Sequence, residues 1–186
     1  LTPFFKDDPL SEHLHTICEQ AFNFPCPLNI VLDDLHHLEL FHGPTAAFKD
    51  FGARFLAQCY SHFPEERTIL VATSGDTGGA VAAAFDGVAK TKVIILYPKD
   101  GVSPLQEHQL TCWGENILSL RVNGTFDDCQ RIVKEVFSDT KIKNEFKLTS
   151  ANSINIGRLL PQMTYYAYSS IKYQNEIGAR PNYIIP

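Results

Sequence analysis

From residue 69 onward, short apolar runs alternate with stretches of helical periodicity, and this alternation limits the fold more than any other feature of the chain. The runs at 69–73, 93–97, 117–122, 146–149 and 183–185 read as strands. The stretches at 78–85, 103–112, 125–138 and 158 to about 173 read as helices. Within the third of these, Phe126, Cys129, Ile132, Val133, Val136 and Phe137 form one apolar face. In the second, Ser103-Pro104-Leu105-Gln106 combines a capping box with proline at the first helical position. Such alternation predicts an α/β fold with right-handed crossovers and a mainly parallel sheet carrying helices on both faces. Ligands then belong at the carboxyl ends of the strands.

The first 68 residues prepare this sheet, and we divide the chain into an N-terminal segment, 1–68, and a parallel-sheet domain, 69–186. Residues 10–22 suit a short helix, Pro25 and Pro27 break it, and 29–32 and 38–41 read as strands. Gly43-Pro44 then makes a turn, Thr45 can serve as a helix cap, and 46–60 reads as a helix with Lys49 in its first turns. At helical spacing Lys49 shares a face with Ala53, Leu56 and Tyr60, while Phe48, Gly52, Phe55 and Cys59 line another. Only Asp50, Arg54 and Gln58 form a polar stripe, with Asp50 and Arg54 spaced to pair. Lys49 is therefore expected on a mostly buried helix near the positive end of its dipole, where both influences favour the free amine. A free amine suits a lysine that bonds a carbonyl. The plain alternative, a lysine that snorkels past apolar neighbours to solvent, is the commoner outcome on an arbitrary helix.

Two loops fall where the parallel-sheet rule places ligands. The first, Thr73-Ser74-Gly75-Asp76-Thr77-Gly78-Gly79, opens a helix whose N–H groups and dipole suit an anion. Its glycines are spaced neither for a Walker A motif nor for the dinucleotide fingerprint, so an anion nest and a tight turn weigh equally. The second, Ser150-Ala151-Asn152-Ser153-Ile154-Asn155-Ile156-Gly157-Arg158, gathers hydroxyls, amides and one guanidinium, donors that suit phosphate oxygens. An Asn/Ser-rich cap with a surface arginine is the commoner reading of such a stretch taken alone.

Bulk properties narrow the classes. A formal net charge of -5, with no basic run interleaved with aromatics, argues against nucleic acid as a partner. No apolar stretch is long enough to span a bilayer and residues 1–10 are too acidic and Pro-rich for a signal peptide, so the expected compartment is cytoplasmic. Cys18, Cys26, Cys59, Cys112 and Cys129 are scattered and read as reduced thiols. His13 with His15 and His36 with His37 lack the partners a metal site needs.

The segment 39–54, Glu-Leu-Phe-His-Gly-Pro-Thr-Ala-Ala-Phe-Lys-Asp-Phe-Gly-Ala-Arg, resembles the lysine motif of threonine synthases, within the fold-type II pyridoxal-phosphate enzymes. The resemblance extends to Ser74-Gly75-Asp76-Thr77, to Gly101-Val102-Ser103-Pro104-Leu105-Gln106 and to Gly124-Thr125-Phe126-Asp127-Asp128-Cys129, the last two read as structural. It implies pyridoxal 5'-phosphate as cofactor, carried on Lys49 with Phe48 and Asp76 beside it, although the wider group usually has Asn where Asp76 stands. It also implies that Ser74 and Thr77 serve the substrate's α-carboxylate. Asn152, Ser153 and Arg158, joined by Thr77, would bind the phosphate of O-phosphohomoserine. The implied reaction turns O-phosphohomoserine and water into threonine and phosphate. A phospho-lyase releasing a 2-oxo acid is a rival within the family, and a non-catalytic binding module is a rival outside it.

One departure concerns extent. In the family a Gly-rich loop that cradles the cofactor phosphate comes after the position of Pro186, so the chain reads as a central fragment. The expected behaviour of such a fragment is to fold without cofactor, with an apolar surface around Lys49 that favours self-association.

Overall fold

The computed structural model describes residues 1–185. At its centre lie four parallel strands, β3 (Arg67–Ala72), β4 (Thr91–Pro98), β5 (Ile117–Val122) and β6 (Leu148–Ser150), in the order β5-β4-β3-β6. After their first two residues strands β3 and β4 are apolar throughout, because both of their faces are covered. The period of two sends Ile69, Val71, Val93 and Ile95 into one core, and Leu70, Ala72 and Leu96 into another. The first core is filled by α2 (Lys49–Ser61), α3 (Asp76–Phe85) and α4 (Pro104–Thr111) through side chains such as Leu56, Tyr60, Val81, Phe85 and Leu110. The second is closed by Cys129 and Val133 of α5 (Phe126–Ser138). The α/β class, the parallel sheet and the helices on both faces are thus as the sequence predicts.

Close approach of α3 to the sheet needs a residue without a side chain. A Cβ on Gly78 would lie 2.5 Å from Leu110 Cδ2 and 2.6 Å from Thr73 Cγ2, so glycine there lets the helix lie flat on the strand ends. A third apolar cluster joins α1 (Leu14–Ala21) to the opposite side of α2, where Leu14, Ile17 and Ala21 meet Phe55 and Cys59. With apolar neighbours on both sides, α2 is almost fully buried. Burial pushes the Cys59 thiol up to about 12, so this thiol is a packing group rather than a nucleophile.

Several element boundaries differ from expectation, each for a local reason. Helix α2 starts at Lys49 rather than 46, because Ala46 has φ +55 and residues 43–48 form a turn. Thr45 does not cap the helix; its N–H and hydroxyl both donate to the buried Asp50 carboxylate, at 2.9 and 2.6 Å. Asp50 therefore does not pair with Arg54. Arg54 instead donates to the carbonyls of Gln20 and Ala21, satisfying the carboxyl end of α1.

The strand expected at 38–41 is β2 (Leu35–Leu38), antiparallel to β1 (Leu28–Leu32), because Asp33-Asp34 turns the chain back within two residues. A short helix, α6 (Thr140–Glu145), capped by Asp139 and not expected from the sequence, takes up Phe146 at its carboxyl end and delays β6 to Leu148. The helix expected from 158 is divided: α7 (Ile156–Leu159), a 3-10 turn over Leu160–Gln162 containing Pro161, and α8 (Met163–Ile177). Residues 183–185 form no strand; the Tyr183 hydroxyl is held by Ser169, Ser170 and the Tyr166 carbonyl on α8. Among the described residues, no helix is long and apolar enough to cross a membrane.

The strand order fixes where a ligand can enter. Chain progress runs outward from β3 to β4 to β5, then returns past α5 and α6 to place β6 on the other edge of β3. Between β3 and β6 the direction reverses, and a crevice opens at their carboxyl ends.

Candidate active site

Two loops leave that crevice, 73–79 after β3 and 150–158 after β6, and each is shaped by side chains bonding to backbone. Thr73, fully buried, accepts from the N–H groups of Gly75 and Gly78 at 3.0 and 2.9 Å and donates to the Gly75 carbonyl. This draws the chain into a tight turn in which Gly75 has φ +140, a conformation open to glycine. Across the crevice, the Asn152 carboxamide accepts from Ala72 N at 3.1 Å and donates to Ala72 O at 2.7 Å. It continues the β3–β6 ladder in side-chain form and ties the second loop to the first. Asn155 donates to the Ser150 carbonyl and accepts from Gly157 N, capping α7.

The loops, the start of α2 and one face of α5 line an open cavity of about 960 Å³. Phe48, Lys49, Ser74, Thr77, Asn152, Ser153 and Arg158 all line it, so seven of the eight residues singled out in the sequence meet in one space. Asp76 does not line it. That carboxylate borders an adjoining recess of about 340 Å³, with Leu38, Leu40 and Phe41, and Lys49 borders both spaces.

Lys49 is only partly buried, contrary to the helical-face reading, because α2 begins at this residue and its side chain leaves the helix at the mouth of the crevice. Its Nζ lies 3.5 Å from Asp76 Oδ2 and 4.4 Å from the centre of the Phe48 ring. A carboxylate and an aromatic face both stabilise an ammonium. In place of the expected apolar surroundings, the amine meets one carboxylate and one aromatic face.

Arg158 is 4% exposed. Its Nη1 donates to the Ala151 carbonyl at 2.7 Å, and its Nε is buried without a hydrogen-bond partner. Burial pushes its guanidinium down to about 10, while Asp50 acts in the opposite direction and favours the charge. Arg158 lines the cavity, and a buried guanidinium on a cavity wall suits an anion.

Gly52 makes this placement possible. A Cβ there would lie 2.3 Å from the Arg158 backbone oxygen and 3.1 Å from its Nε. Gly52→Ala is therefore expected to push α7 off α2 and lower stability by roughly 1–3 kcal/mol, read as a shift of the urea midpoint. An unchanged midpoint would show that α7 yields freely.

Sequence reasoning missed three contributors to the site: Thr73, Asp50 and Gln106. Thr73 ends a strand run and Asp50 comes directly after the lysine, yet neither position reveals the backbone it binds. Gln106 reads in the sequence only as part of a helix cap; it also donates to Asp76 Oδ1 at 2.7 Å.

A family model described as pyridoxal-phosphate dependent enzyme matches residues 35–185. The chain belongs to this family. Within it, the chain is 53% identical over 170 residues to the threonine synthase of Buchnera aphidicola subsp. Acyrthosiphon pisum, covering 89% of this chain and 40% of that relative. It is 51% identical over 168 residues to the threonine synthase of Escherichia coli, covering 89% of this chain and 39% of the other. Among solved structures, it matches Escherichia coli threonine synthase with a TM-score of 0.83 at 50% identity, over 89% of this chain and 39% of that one. A threonine synthase from Brucella melitensis, described as bound to PLP, matches with a TM-score of 0.84 at 38% identity, over 92% of this chain and 39% of that one. The chain spans about two fifths of the length of these relatives.

Proposed function

We propose that this chain supplies the lysine-bearing part of a threonine synthase, which converts O-phosphohomoserine and water into threonine and phosphate. The observation that carries this reading is the joining, in one cavity, of the Lys49 side chain with the buried guanidinium of Arg158. A carbonyl-bonding amine and an anion receptor in one space suit an amino-acid substrate that also bears a phosphate. The similarity to threonine synthases in sequence and in structure supports the same substrate.

The residues present fit pyridoxal phosphate. Lys49 offers a primary amine, Phe48 an aromatic neighbour, and Ser74 and Thr77 add hydroxyls on the same wall. When bound, this cofactor supplies an electron sink for negative charge developing on substrate carbons. Lys49 holds it and, when its amine is free, carries a proton to and from the substrate. Ser74 and the amino end of α3, with Thr77, receive the α-carboxylate. Arg158 and the exposed Ser153 hydroxyl take the substrate phosphate. Asn152, with both polar atoms engaged by Ala72, chiefly holds the loop in place and has one Nδ2 hydrogen left to offer. The working compartment we propose is the cytoplasm, and the split into 1–68 and 69–186 remains our proposed division of the chain.

Two assays test the reading in the full-length protein. Borohydride reduction with pyridoxal phosphate, followed by peptide mapping, should place the pyridoxyl group on Lys49; a label on another lysine removes the assignment. Incubation with O-phosphohomoserine should release threonine and phosphate in equal amounts. Phosphate accompanied by a 2-oxo acid would instead identify a phospho-lyase.

A further inference from the structure

Lys49 borders two spaces, and the carboxylate that faces its Nζ borders the smaller of them. Each oxygen of the Asp76 carboxylate has its own contact: Oδ1 accepts from Gln106 Nε2 at 2.7 Å, and Oδ2 faces Lys49 Nζ at 3.5 Å. Gln106 is itself held. Its Oε1 accepts from Ser103 N at 3.0 Å, and its own N–H donates to Ser103 Oγ at 3.2 Å, the two halves of the α4 capping box. The Gln106 carboxamide also lies against Gly75, where a Cβ would meet Nε2 at 2.3 Å. Its position is thus fixed by the start of one helix and by the turn before another.

We propose that Asp76 is the resting counter-ion of Lys49, and that Gln106 is the positioning residue which aims Asp76 at the amine. This rests on the reading of Lys49 as the cofactor lysine. A carboxylate without an anchor turns about its Cβ–Cγ bond and shares its charge with solvent. With Oδ1 held by Gln106, Oδ2 stays toward Lys49. The other charged side chains on the cavity wall, Lys134 and Arg158, are cationic, and the nearby Asp50 is engaged by Thr45. Asp76 is therefore the carboxylate this ammonium meets. For the amine to react with a carbonyl, the Oδ2–Nζ contact must open and one proton must pass from the ammonium to solvent.

The test uses the full-length protein freed of cofactor and measures how fast acetic anhydride labels Lys49 at pH 8, by peptide mass spectrometry. The pair is partly exposed, 24% for the Lys49 side chain and 48% for Asp76, so the effect is that of a screened ion pair. Asp76→Asn is expected to raise the Lys49 labelling rate roughly 1.5- to 5-fold. Gln106→Leu should give at least half of that increase. Ser103→Ala, which weakens the same helix cap but leaves the Gln106–Asp76 bond, should label at the wild-type rate. An unchanged rate in Asp76→Asn would eliminate the counter-ion. Equal rates in Gln106→Leu and Ser103→Ala would reduce Gln106 to a cap residue. Because no cofactor is present, these outcomes are independent of the borohydride result, which alone decides the cofactor lysine.

Discussion

Lys49→Ala is expected to lower threonine formation by about 10²–10⁴-fold, the range attributed to a single positioned acid–base group, with further loss from a weakened hold on the cofactor. Thermal stability should hardly move. Lys49 opens α2 rather than sitting in its core, and its contact with Asp76 is partly exposed, a kind of pair worth at most about 1 kcal/mol. This combination separates a chemical role from a packing one: substitutions of the neighbouring buried residues, such as Phe51 and Phe55, should do the reverse. Lys49→Arg should fail as fully as alanine, since a guanidinium keeps its proton at any working pH and cannot become the free nucleophile. Retention of more than a tenth of the activity in Lys49→Ala would move the chemistry to another residue.

The parts of this molecule written in short-range pattern were legible, and those written in pairings across the chain were not. Strands β3 and β4 appear in the sequence because burial on both faces leaves continuous apolar runs, and the α4 capping box because four adjacent residues encode it. The setting of Lys49 is misjudged by a helical wheel drawn from residue 46. Three residues of supposed helix are a turn, held by a carboxylate five residues after Thr45, and removing them shifts Lys49 from the helix interior to its first position. The ammonium's partner, Asp76, comes from 27 residues away. Asn152 illustrates the same limit at a separation of 80 residues: its donors suggest phosphate, but its geometry is that of a rung between β6 and β3. No periodicity carries such information, since a side chain that binds backbone responds to the path of the chain rather than to its neighbours in sequence.

Arg158→Ala should weaken the use of O-phosphohomoserine by roughly ten- to a hundredfold, because a charge-assisted hydrogen bond to a bound anion contributes about 1.5–3 kcal/mol. Stability changes as well, and the two effects need separating. The Arg158 guanidinium is buried and satisfies the Ala151 carbonyl, so alanine leaves that acceptor open and creates a void beside Gly52. Burial also opposes the charge, pushing the guanidinium down to about 10, so the residue is held in the fold at some cost. The distinguishing measurement compares ligands in the folded variant: phosphohomoserine should bind ten- to a hundredfold more weakly, while an amino acid of the same length without phosphate should bind nearly as before. Arg158→Lys should recover the charge but little of the affinity, since one ammonium cannot both hold Ala151 and reach the cavity as a planar guanidinium can. Equal losses for the two ligands would make Arg158 a support for the 150–158 loop, and the phosphate would then have to be read by Ser153 and Thr77.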